Sequence, residues 1–402
     1  MPTPLQGRHI ALGVTGSIAA YKALELASKL IQANASVVAM LTDGAARFVS
    51  PLAFSAITHG PAVTDLYDPQ SELGIDHVAL AEQADLVIVA PATANTLAKM
   101  AHGLADDAVT TTILATRAPV LVAPAMDAHM FDHPATQANL ALLKERGVYV
   151  AGPLSGRMAS GLVGTGRMVE PVDLVGHARL ILGLTGDLSG RSIVVTAGGT
   201  EEAIDPVRVI TNHSSGKMGY AIAEAARDRG ASVTLIAARS SLADPVGVSV
   251  VRVTSASDMG NAVTRAIKNA DTLVMAAAVS DWTPADVSPN KAKKTETNSI
   301  TLELKKTEDI LASIKRPGLI KVGFAAETED VERNARAKLS SKGLDFVVAN
   351  DVAAPGSGFG SDDNKVTLIG PGNETEDLPS MAKYEVGHRI LDRVAAILAQ
   401  RP

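Results

Sequence analysis

The sequence predicts an α/β protein with two doubly wound parallel-sheet domains in tandem. Short apolar runs rich in β-branched residues alternate with segments of helical periodicity along almost all of the 402 residues. The predicted strands are uniformly apolar, which is typical of strands buried on both faces of a sheet covered by helices. The chain contains 33 glycines but only 3% aromatic residues, which suits the tight turns of an α/β protein better than a β-sandwich. Its length allows two or three domains, each with its own core.

The first half contains five predicted strands, separated by amphipathic segments such as 19–32 and 93–101. These strands cover residues 9–13, 36–41, 85–90, 119–123 and 148–151. The turn-rich segment 183–191 follows a helix-like segment at 174–182. It predicts a boundary between a domain over residues 1–188 and a domain over residues 189–402.

The same alternation of strands and helices restarts after this boundary. The predicted strands cover residues 192–196, 232–238, 272–275, 321–324 and 346–349, and the predicted helices cover 218–229 and 384–399. Two consecutive Rossmann-like units are therefore expected. The polar, lysine-bearing stretch 288–299 interrupts the second unit and predicts a mobile flap.

Composition excludes several classes of protein. The chain has 37 basic and 43 acidic residues and a formal net charge of −6, so a nucleic-acid partner is not expected. It has no cysteine, which excludes disulfides, thiolate nucleophiles and cysteine-ligated metal clusters. Because no signal-like pattern opens the chain and no run of 18 apolar residues occurs, we expect a soluble cytoplasmic protein without a membrane partner.

Three polar turns follow successive strands of the first half, where open parallel sheets bind their ligands. The turn 13–18 offers free backbone N–H groups and the hydroxyls of Thr15 and Ser17, which together could cradle a phosphate. Its spacing matches neither the dinucleotide fingerprint nor the Walker motif, so an ordinary strand–helix turn is the alternative. The turns 91–96 and 124–127 are expected to converge with it at one edge of the sheet.

Histidines and glycines add further candidates in the first half. His77 precedes the third strand and could act there as a general base, or it could be a surface or capping residue. His129 and His133 are four residues apart on a possible helix, but Met130 stands where a zinc-binding helix needs glutamate, so a metal pair is not predicted. The run 160–168 is too rich in glycine for a buried element, and it predicts either a flap over a ligand or a long surface turn.

The second half carries a denser set of polar groups. Residues 205–218 lead into a helix and combine Asn212 and two serines with Lys217, which together form an anion site. Ser214 or Ser215 could equally be a simple helix N-cap, but a cap alone leaves Arg208 and Asn212 unexplained. Three alanines at 276–278 end the next strand and allow a flat ring to approach the backbone. The lysines at 291–294 then suggest phosphate chemistry rather than a solvated face.

Together these motifs resemble a family of coenzyme A biosynthesis proteins in which a phosphopantothenoylcysteine decarboxylase is fused to a phosphopantothenate–cysteine ligase. The resemblance spans nearly the whole chain and keeps the order of the domains. It implies a flavodoxin-like flavin domain first and a ligase domain second. The motifs that carry it are GVTGSIAAYK (13–22), PATANT (91–96), PAM (124–126), GTGRM (164–168), DPVRVITNHSSGKMG (205–219), AAVSDW (277–282), KAKK (291–294), GFAAET (323–328) and AND (349–351).

For the first domain, the resemblance implies FMN-dependent decarboxylation of phosphopantothenoylcysteine to 4′-phosphopantetheine. In such enzymes the flavin oxidises the substrate thiol to a thioaldehyde, the carboxylate leaves as CO2, and the reduced flavin returns its electrons. His77 would be the catalytic base. The positions implied for FMN are Gly16, Ser17, Ile18, Thr42, Ala92, Thr93, Thr96 and Met126.

For the second domain, the resemblance implies activation of 4′-phosphopantothenate by CTP to an acyl cytidylate, which the amine of L-cysteine attacks. Asn212 would hold the acyl cytidylate and Lys291 would stabilise charge in the transition state. Mg2+ would be held mainly by the nucleotide phosphates. The positions implied for substrate or CTP are Arg208, Ala276, Ala277, Asp281, Lys291, Glu308, Asp309, Ile310, Leu311, Phe324, Lys338 and Lys342.

Two catalytic positions depart from the family pattern. Asp127 stands where the family has asparagine, and Ser160 stands where it has cysteine. An ionised Asp127 would repel the substrate carboxylate unless the two carboxylates shared a proton. A serine hydroxyl is also a far weaker acid than a thiol, whose pKa is about 8.5. We therefore expect oxidation and decarboxylation to persist, with a final reduction that is slow or uses water.

Alternative functions follow from these departures. The ligase could be active beside a first domain that is impaired, or that serves as a regulatory or oligomerising flavoprotein module. A nicotinamide-dependent oxidoreductase is disfavoured, because neither half carries the dinucleotide fingerprint. The resemblance also implies a homo-oligomer with trimeric flavin domains and dimeric ligase domains, such as a dodecamer.

Overall fold

The computed structural model describes residues 3–65, 76–291, 301–327, 330–351 and 360–401. The chain divides into two compact units between Leu182 and Gly183. The turn-rich segment 183–191 begins at this division. The assignment of residue 188 as the last of the first domain stays a prediction.

The first unit is built on a five-stranded parallel sheet with the order β2-β1-β3-β4-β5. Its strands are β1 (His9–Val14), β2 (Ser36–Leu41), β3 (Leu86–Ala92), β4 (Val120–Pro124) and β5 (Tyr149–Val150). This is the strand order of flavodoxin-like folds, in which the winding direction reverses between β1 and β3. The doubly wound fold predicted for this half is confirmed.

Helices cover both faces of this sheet and bury it completely along β3. In α1 the buried residues Ala23, Leu26, Ala27 and Leu30 recur at helical spacing and pack against one face. The helices are α1 (Tyr21–Gln32), α2 (Asp43–Ala46), α3 (Pro51–Thr58), α4 (Asp76–Gln83), α5 (Ala94–His102), α6 (Ala108–Ala115), α7 (Ala128–Asp132), α8 (Pro134–Glu145) and α9 (Pro171–Gly183).

The glycine-dense run 160–168 belongs to a β-hairpin of β6 (Leu154–Arg157) and β7 (Val163–Arg167). The expectation that this run is too glycine-rich for a buried element is therefore wrong at Gly166, which is buried. A Cβ atom on Gly166 would lie 2.2 Å from the carbonyl oxygen of Met126. Glycine at this position lets the hairpin lie directly against the turn that follows β4.

The second unit is built on an eight-stranded sheet among its described residues, with the order β12-β11-β8-β13-β16-β17-β19-β20. Its strands are β8 (Ser192–Ala197), β11 (Ser232–Ala237), β12 (Ser249–Arg252), β13 (Thr272–Met275), β16 (Ile320–Glu327), β17 (Phe346–Asp351), β19 (Val366–Ile369) and β20 (Thr375–Asp377). The first six are parallel and have the strand order of Rossmann folds, as predicted. The last two are antiparallel and were not predicted. β20 consists of three polar residues without a strand-like apolar pattern, whereas β19 is a mostly apolar run of four residues that the sequence analysis missed.

Three small antiparallel ladders and five helices complete the described part of this unit. The ladders pair β9 (Glu201–Ala203) with β10 (Val209–Thr211), β14 (Trp282–Pro284) with β15 (Leu304–Lys306), and β18 (Asp363–Asn364) with β21 (Met381–Ala382). The helices are α10 (Lys217–Asp228), α11 (Ala256–Ala266), α12 (Ile310–Ser313), α13 (Val331–Lys342) and α14 (Lys383–Gln400). The predicted flap at 288–299 lies outside the described residues from 292 onward.

No helix within the described ranges is both long enough and apolar enough to cross a bilayer.

Candidate active sites

The turns that follow β1, β3 and β4 meet in the first unit, as the sequence predicts. The buried hydroxyl of Thr15 donates to the carbonyl of Pro91 (2.7 Å) and accepts from the backbone N–H of Thr93 (3.1 Å). The N–H of Ala125 donates to the carbonyl of Ala92 at 3.0 Å. These bonds hold three strand ends together at one edge of the sheet.

The three turns open onto a cavity of about 1140 Å³, here named the cradle cavity. Three hydroxyls at its wall cap the helical segments behind it: Ser17 accepts from Ala19, Thr42 from Ala45 and Thr93 from Thr96. Of the positions implied for FMN, those that line this cavity are Gly16, Ser17, Thr42, Thr93, Thr96 and Met126.

Two positions implied for FMN do not line the cradle cavity. Ile18 is 60% exposed and lines a neighbouring cavity instead. Ala92 is fully buried, and its carbonyl holds the turn after β4. Their contribution to cofactor binding stays a prediction.

The charges of the cradle cavity are distributed unevenly. At one end Gly16 approaches Gly44 so closely that a Cβ on Gly16 would lie 3.0 Å from the Gly44 backbone. Gly16, Ser17 and Thr93 carry no charged side chain, although Asp43, the neighbour of Gly44, also lines the cavity. Elsewhere the wall carries Lys99, which pairs with Asp106 (2.6 Å) and Asp107 (3.3 Å). The hydrogen bond that Lys99 donates to Asp106 raises the pKa of Lys99 and keeps it protonated.

A second cavity of about 520 Å³ lies under the β6–β7 hairpin and is named the hairpin cavity. Ser17 and Met126 line both this cavity and the cradle cavity, so the two adjoin. Asp127 and Ser160 line it and contact each other, because the Ser160 hydroxyl donates to the Asp127 carboxylate at 2.6 Å. The structure thus brings together the two positions that depart from the family pattern.

The Asp127 carboxylate is ionised at neutral pH. The hydrogen bond from Ser160 lowers its pKa. Asp127 is also the N-cap of α7, and the hydrogen bond that it accepts there from the backbone N–H of His129 lowers the pKa further. The Ser160 proton is therefore directed toward Asp127.

The predicted histidines lie in three different helical contexts. His77 is the second residue of α4, and its side chain lies outside the described part of the chain. His129 belongs to α7, whereas the Nδ1 atom of His133 accepts from the N–H of Ala135 (3.1 Å) and caps α8. The expectation that His129 and His133 share a helix is wrong, because α7 ends at Asp132.

The second unit contains two adjoining cavities at the carboxyl ends of β13 and β16. The cation cavity, of about 490 Å³, is lined by Lys306, Lys338 and Lys342. The helix cavity, of about 520 Å³, lies against the N-terminus of α10 at residues 214–217. Ala277, Asp281, Phe324 and Lys338 are among the residues that line both.

Most positions implied for substrate and CTP line one or both of these cavities. They are Asn212, Ala276, Ala277, Asp281, Glu308, Asp309, Ile310, Leu311, Phe324, Lys338 and Lys342. Arg208 does not line either cavity, because its guanidinium is held by the buried carboxylate of Asp205 at 2.5 and 2.9 Å. Lys291 is exposed and also lines neither.

Hydrogen bonds orient the polar groups of these two cavities. The amide nitrogen of Asn212 donates to the carbonyl of Val279 (3.1 Å), and Lys338 donates to the carbonyl of Phe324 (2.5 Å). Lys342 pairs with Asp309 at 2.9 Å. Burial raises the pKa of Asp309, but the hydrogen bonds from Lys342 and from a backbone N–H outweigh it and lower the pKa overall.

The N-terminus of α10 differs from the predicted serine cap. Gly216 is the N-cap, with φ of +78°, and no side chain caps the helix. Ser214 and Ser215 accept instead from the N–H groups of Gly216 (3.3 Å) and Lys217 (3.4 Å). Because glycine leaves the helix end open, backbone N–H groups face the helix cavity.

Sequence reasoning missed several residues that line the second-unit cavities. Lys383 and Asn364 line the helix cavity, and Trp282 lines the cation cavity with Lys306, whose ammonium lies 5.9 Å from the indole ring centre. Trp282 and Asn350 were quoted only as parts of the AAVSDW and AND motifs. Asn350 directly follows the strand predicted at 346–349, a signal that could have found it, whereas Asn364 and Lys383 follow no predicted strand.

Strand orders and cavities of this kind define an α/β enzyme with one binding region in each of two domains. The family model described as "Flavoprotein" matches residues 1–181, and that described as "DNA/pantothenate metabolism flavoprotein C-terminal domain" matches residues 188–398. The chain is 47% identical to the coenzyme A biosynthesis bifunctional protein CoaBC of Bacillus subtilis and 43% identical to that of Escherichia coli K12. These similarities cover 98% of both chains in the first case and 97% of both in the second. A crystal structure of a CoaBC C-terminal domain is 39% identical, covers 54% of this chain and 99% of that one, and superposes with a TM-score of 0.46. The chain belongs to the family of bifunctional coenzyme A biosynthesis proteins, enzymes with a decarboxylase domain and a ligase domain.

Proposed function

We propose that this chain carries out two successive steps of coenzyme A biosynthesis. The second unit joins L-cysteine to 4′-phosphopantothenate at the expense of CTP. The first unit then decarboxylates phosphopantothenoylcysteine to 4′-phosphopantetheine with FMN as cofactor. The observation that carries the proposal is that each unit gathers most of its implied substrate or cofactor residues around cavities at the carboxyl ends of its parallel strands.

The cradle cavity fits FMN at the end formed by Gly16, Ser17 and the turn at Thr93. Backbone N–H groups and hydroxyls are the groups that bind phosphate at such turns, and the close approach of Gly16 to Gly44 leaves no room for a side chain. The carboxylates of Asp43, Asp106 and Asp107 line the same cavity, and we assign the phosphate to the glycine turn because Gly16, Ser17 and Thr93 carry no charge that would repel it. Bound FMN would supply reversible two-electron chemistry at the thiol-bearing carbon of the substrate.

The Asp127–Ser160 pair supports the expectation of a slow final reduction. The Ser160 proton is directed to an ionised carboxylate at 2.6 Å, so neither residue offers the substrate the acidic proton that a thiol could supply. Decarboxylation itself needs no acid from these two residues, because the electron pair left behind by CO2 is taken up by the adjacent thioaldehyde.

The cation cavity and the helix cavity support nucleotide-dependent ligation. The carboxylate of 4′-phosphopantothenate attacks the α-phosphorus of CTP and displaces pyrophosphate. The cysteine amine then attacks the acyl carbon, and CMP leaves. This displacement needs positioned cations and N–H donors rather than a protein nucleophile, and Lys338, Lys342 and the N-terminus of α10 supply them.

Asn212 and Lys291 are proposed to act on the acyl cytidylate. One amide hydrogen of Asn212 is used by Val279, which fixes the side chain and leaves its second hydrogen and its oxygen for the ligand. Among the described residues no cluster of histidine, aspartate and glutamate could hold a metal ion. Mg2+ is accordingly assigned to the phosphates of CTP.

Product analysis by mass tests both steps in one experiment. The FMN-loaded protein is supplied with 4′-phosphopantothenate, CTP, Mg2+ and L-cysteine. We expect pyrophosphate, CMP and 4′-phosphopantetheine. A protein that releases no pyrophosphate when CTP and 4′-phosphopantothenate are both supplied is not the ligase proposed here. Asn212→Ala should abolish this release without changing the melting temperature.

A second candidate function is a ligase whose first domain binds flavin but turns over poorly, and the Asp127–Ser160 contact favours it. In that case phosphopantothenoylcysteine accumulates. Ser160→Cys separates the two candidates, because it should accelerate 4′-phosphopantetheine formation if proton supply limits the reaction. Rapid turnover of the parent protein that Ser160→Cys leaves unchanged would contradict the slow reduction.

A further inference from the structure

The hairpin cavity carries an arginine that the proposed mechanism does not use. Arg157 is the last residue of β6, is exposed, and lines the cavity together with Ser160 and Asp127. Its guanidinium makes no hydrogen bond or ion pair with any residue in the described ranges, although its backbone pairs with Val163 in the hairpin. The other cations of this cavity are engaged. Lys22 is buried and donates to Glu170 (2.7 Å) and to the carbonyl of Met168 (3.3 Å).

The hairpin that presents Arg157 is held in place at two points, one near its open end and one at its turn. The backbone N–H of Met126 donates to the carbonyl of Gly166 at 3.0 Å, and the Ser160 hydroxyl donates to Asp127 at 2.6 Å. The turn between the strands is closed by hydrogen bonds between Met158 and Leu162 (2.8 Å) and between Gly161 and Met158 (2.9 Å). Arg157 therefore belongs to a hairpin that hydrogen bonds hold in place, and not to a free loop.

The distribution of charge in the cavity favours an anionic ligand near Arg157. Three cations line the cavity, Lys22, Arg157 and Arg167, and Glu170 contacts two of them, at 2.7 Å from Lys22 and 3.8 Å from Arg167. Asp127 is an ionised acceptor whose nearest donor is Ser160. A ligand carboxylate can only accept hydrogen bonds. The Asp127–Ser160 pair offers it no free donor, and the negative charge of Asp127 repels it.

We propose that Arg157 anchors the carboxylate of the decarboxylase substrate in the hairpin cavity, and that Asp127 and Ser160 exclude the carboxylate from their own side. A guanidinium binds a carboxylate through two parallel N–H donors, which sets both the position and the rotation of the group. Arg157 is thus a positioning residue for the bond that breaks. This assignment rests on the proposed decarboxylase function of the first unit.

Binding of two probes to the FMN-loaded full-length chain tests the assignment. One probe is the amide of 4′-phosphopantothenate with L-serine, and the other is the corresponding amide with ethanolamine, which lacks only the carboxylate. Both carry a hydroxyl in place of the thiol, so that binding can be measured by calorimetry apart from turnover. The parent protein should bind the carboxylate probe about 10- to 100-fold more tightly than the other.

Arg157→Gln should reduce this preference to less than about threefold and leave both FMN content and the affinity for the ethanolamine probe unchanged. Arg157→Lys should restore part of the preference, because it keeps the charge but loses the paired donors. Arg117→Gln is the matched control, since Arg117 is an exposed arginine of the same unit that does not line this cavity. It should behave as the parent.

The outcomes separate the assignment from the function on which it rests. Equal binding of the two probes by the parent, or an undiminished preference in Arg157→Gln, would overturn the role of Arg157 alone. Failure of the FMN-loaded parent to bind either probe would overturn the proposed decarboxylase function, and the role of Arg157 with it.

Discussion

Gly166→Ala probes the contact that holds the β6–β7 hairpin against the turn after β4. The added Cβ would lie 2.2 Å from the carbonyl oxygen of Met126 and 3.1 Å from the sulfur of Met158. A carbon–oxygen contact normally measures about 3.3 Å or more. Because the nearest atom belongs to the backbone, it cannot rotate away as the end of a side chain would. The hairpin must therefore retreat by about 1 Å.

This displacement of the hairpin lowers the free energy of unfolding by an amount that can be calculated. Overpacking of this kind typically destabilises a protein by about 1–3 kcal/mol, and loss of the hydrogen bond from Met126 to Gly166 adds about 0.5–1.5 kcal/mol. The sum is about 3 kcal/mol. For a domain of this size each kcal/mol lowers the melting temperature by about 2–4 °C, so we expect the first unit to melt about 6–12 °C lower.

Calorimetry and hydrogen exchange on the full-length protein measure these two effects. The exchange of the Met126 amide should accelerate, because its acceptor is displaced. Gly60→Ala is the control, since a Cβ there would meet no atom within 4 Å and the position has no positive φ. A Gly166→Ala protein that melts and exchanges like Gly60→Ala would refute the argument that glycine is required for this contact.

Three further predictions concern single side chains. Thr15→Val removes the hydroxyl that joins two turns, so it should lower the free energy of unfolding by about 1–3 kcal/mol and weaken FMN binding, both measurable by titration. Lys338→Met keeps the aliphatic stem but removes the charge, and it should lower kcat/KM for CTP about 10- to 100-fold in a pyrophosphate-release assay; an unchanged value would count against the cation cavity. Asp187→Asn should cost about 2 kcal/mol of stability at neutral pH, because Arg229 is buried and keeps Asp392 as its one charged partner among the described residues, beside the carbonyl of His388. The hydrogen bond from Arg229 lowers the pKa of Asp187 below 3.8, so its stabilisation is complete above about pH 4 and is lost as the pH falls through the lowered pKa. The variant should lack this acid-dependent loss.

Local patterns predict the parallel sheets of both units. Residues 86–92 and 272–275 show no alternation between apolar and polar side chains. Such a run is typical of a strand that is buried on both faces of a sheet. The polar turns after β1, β3 and β4 were likewise predictable as one site, since parallel strands end at the same edge of a sheet.

Contacts between distant residues were not predictable in this way. Ser160 and Asp127 are both polar residues next to a turn, and nothing in either local sequence indicates that one donates to the other across 33 positions. Lys22 donates to Glu170 across 148 positions, and neither local sequence indicates this pair. The antiparallel strand β20 has no apolar pattern from which a strand could be predicted.

The sequence by itself determined which segments are buried, where the chain turns, and which turns carry polar groups, because burial and turn geometry leave periodic and compositional traces over a few residues. Only the tertiary structure decided which polar groups are already paired and which remain available to a ligand. Pairing depends on the packing of elements that are far apart in the chain, and it leaves no trace in the local pattern. Arg229 is held by Asp187 and Asp392, which lie 42 and 163 positions away, whereas the guanidinium of Arg157 has no partner among the described residues. The fold alone distinguishes these two arginines.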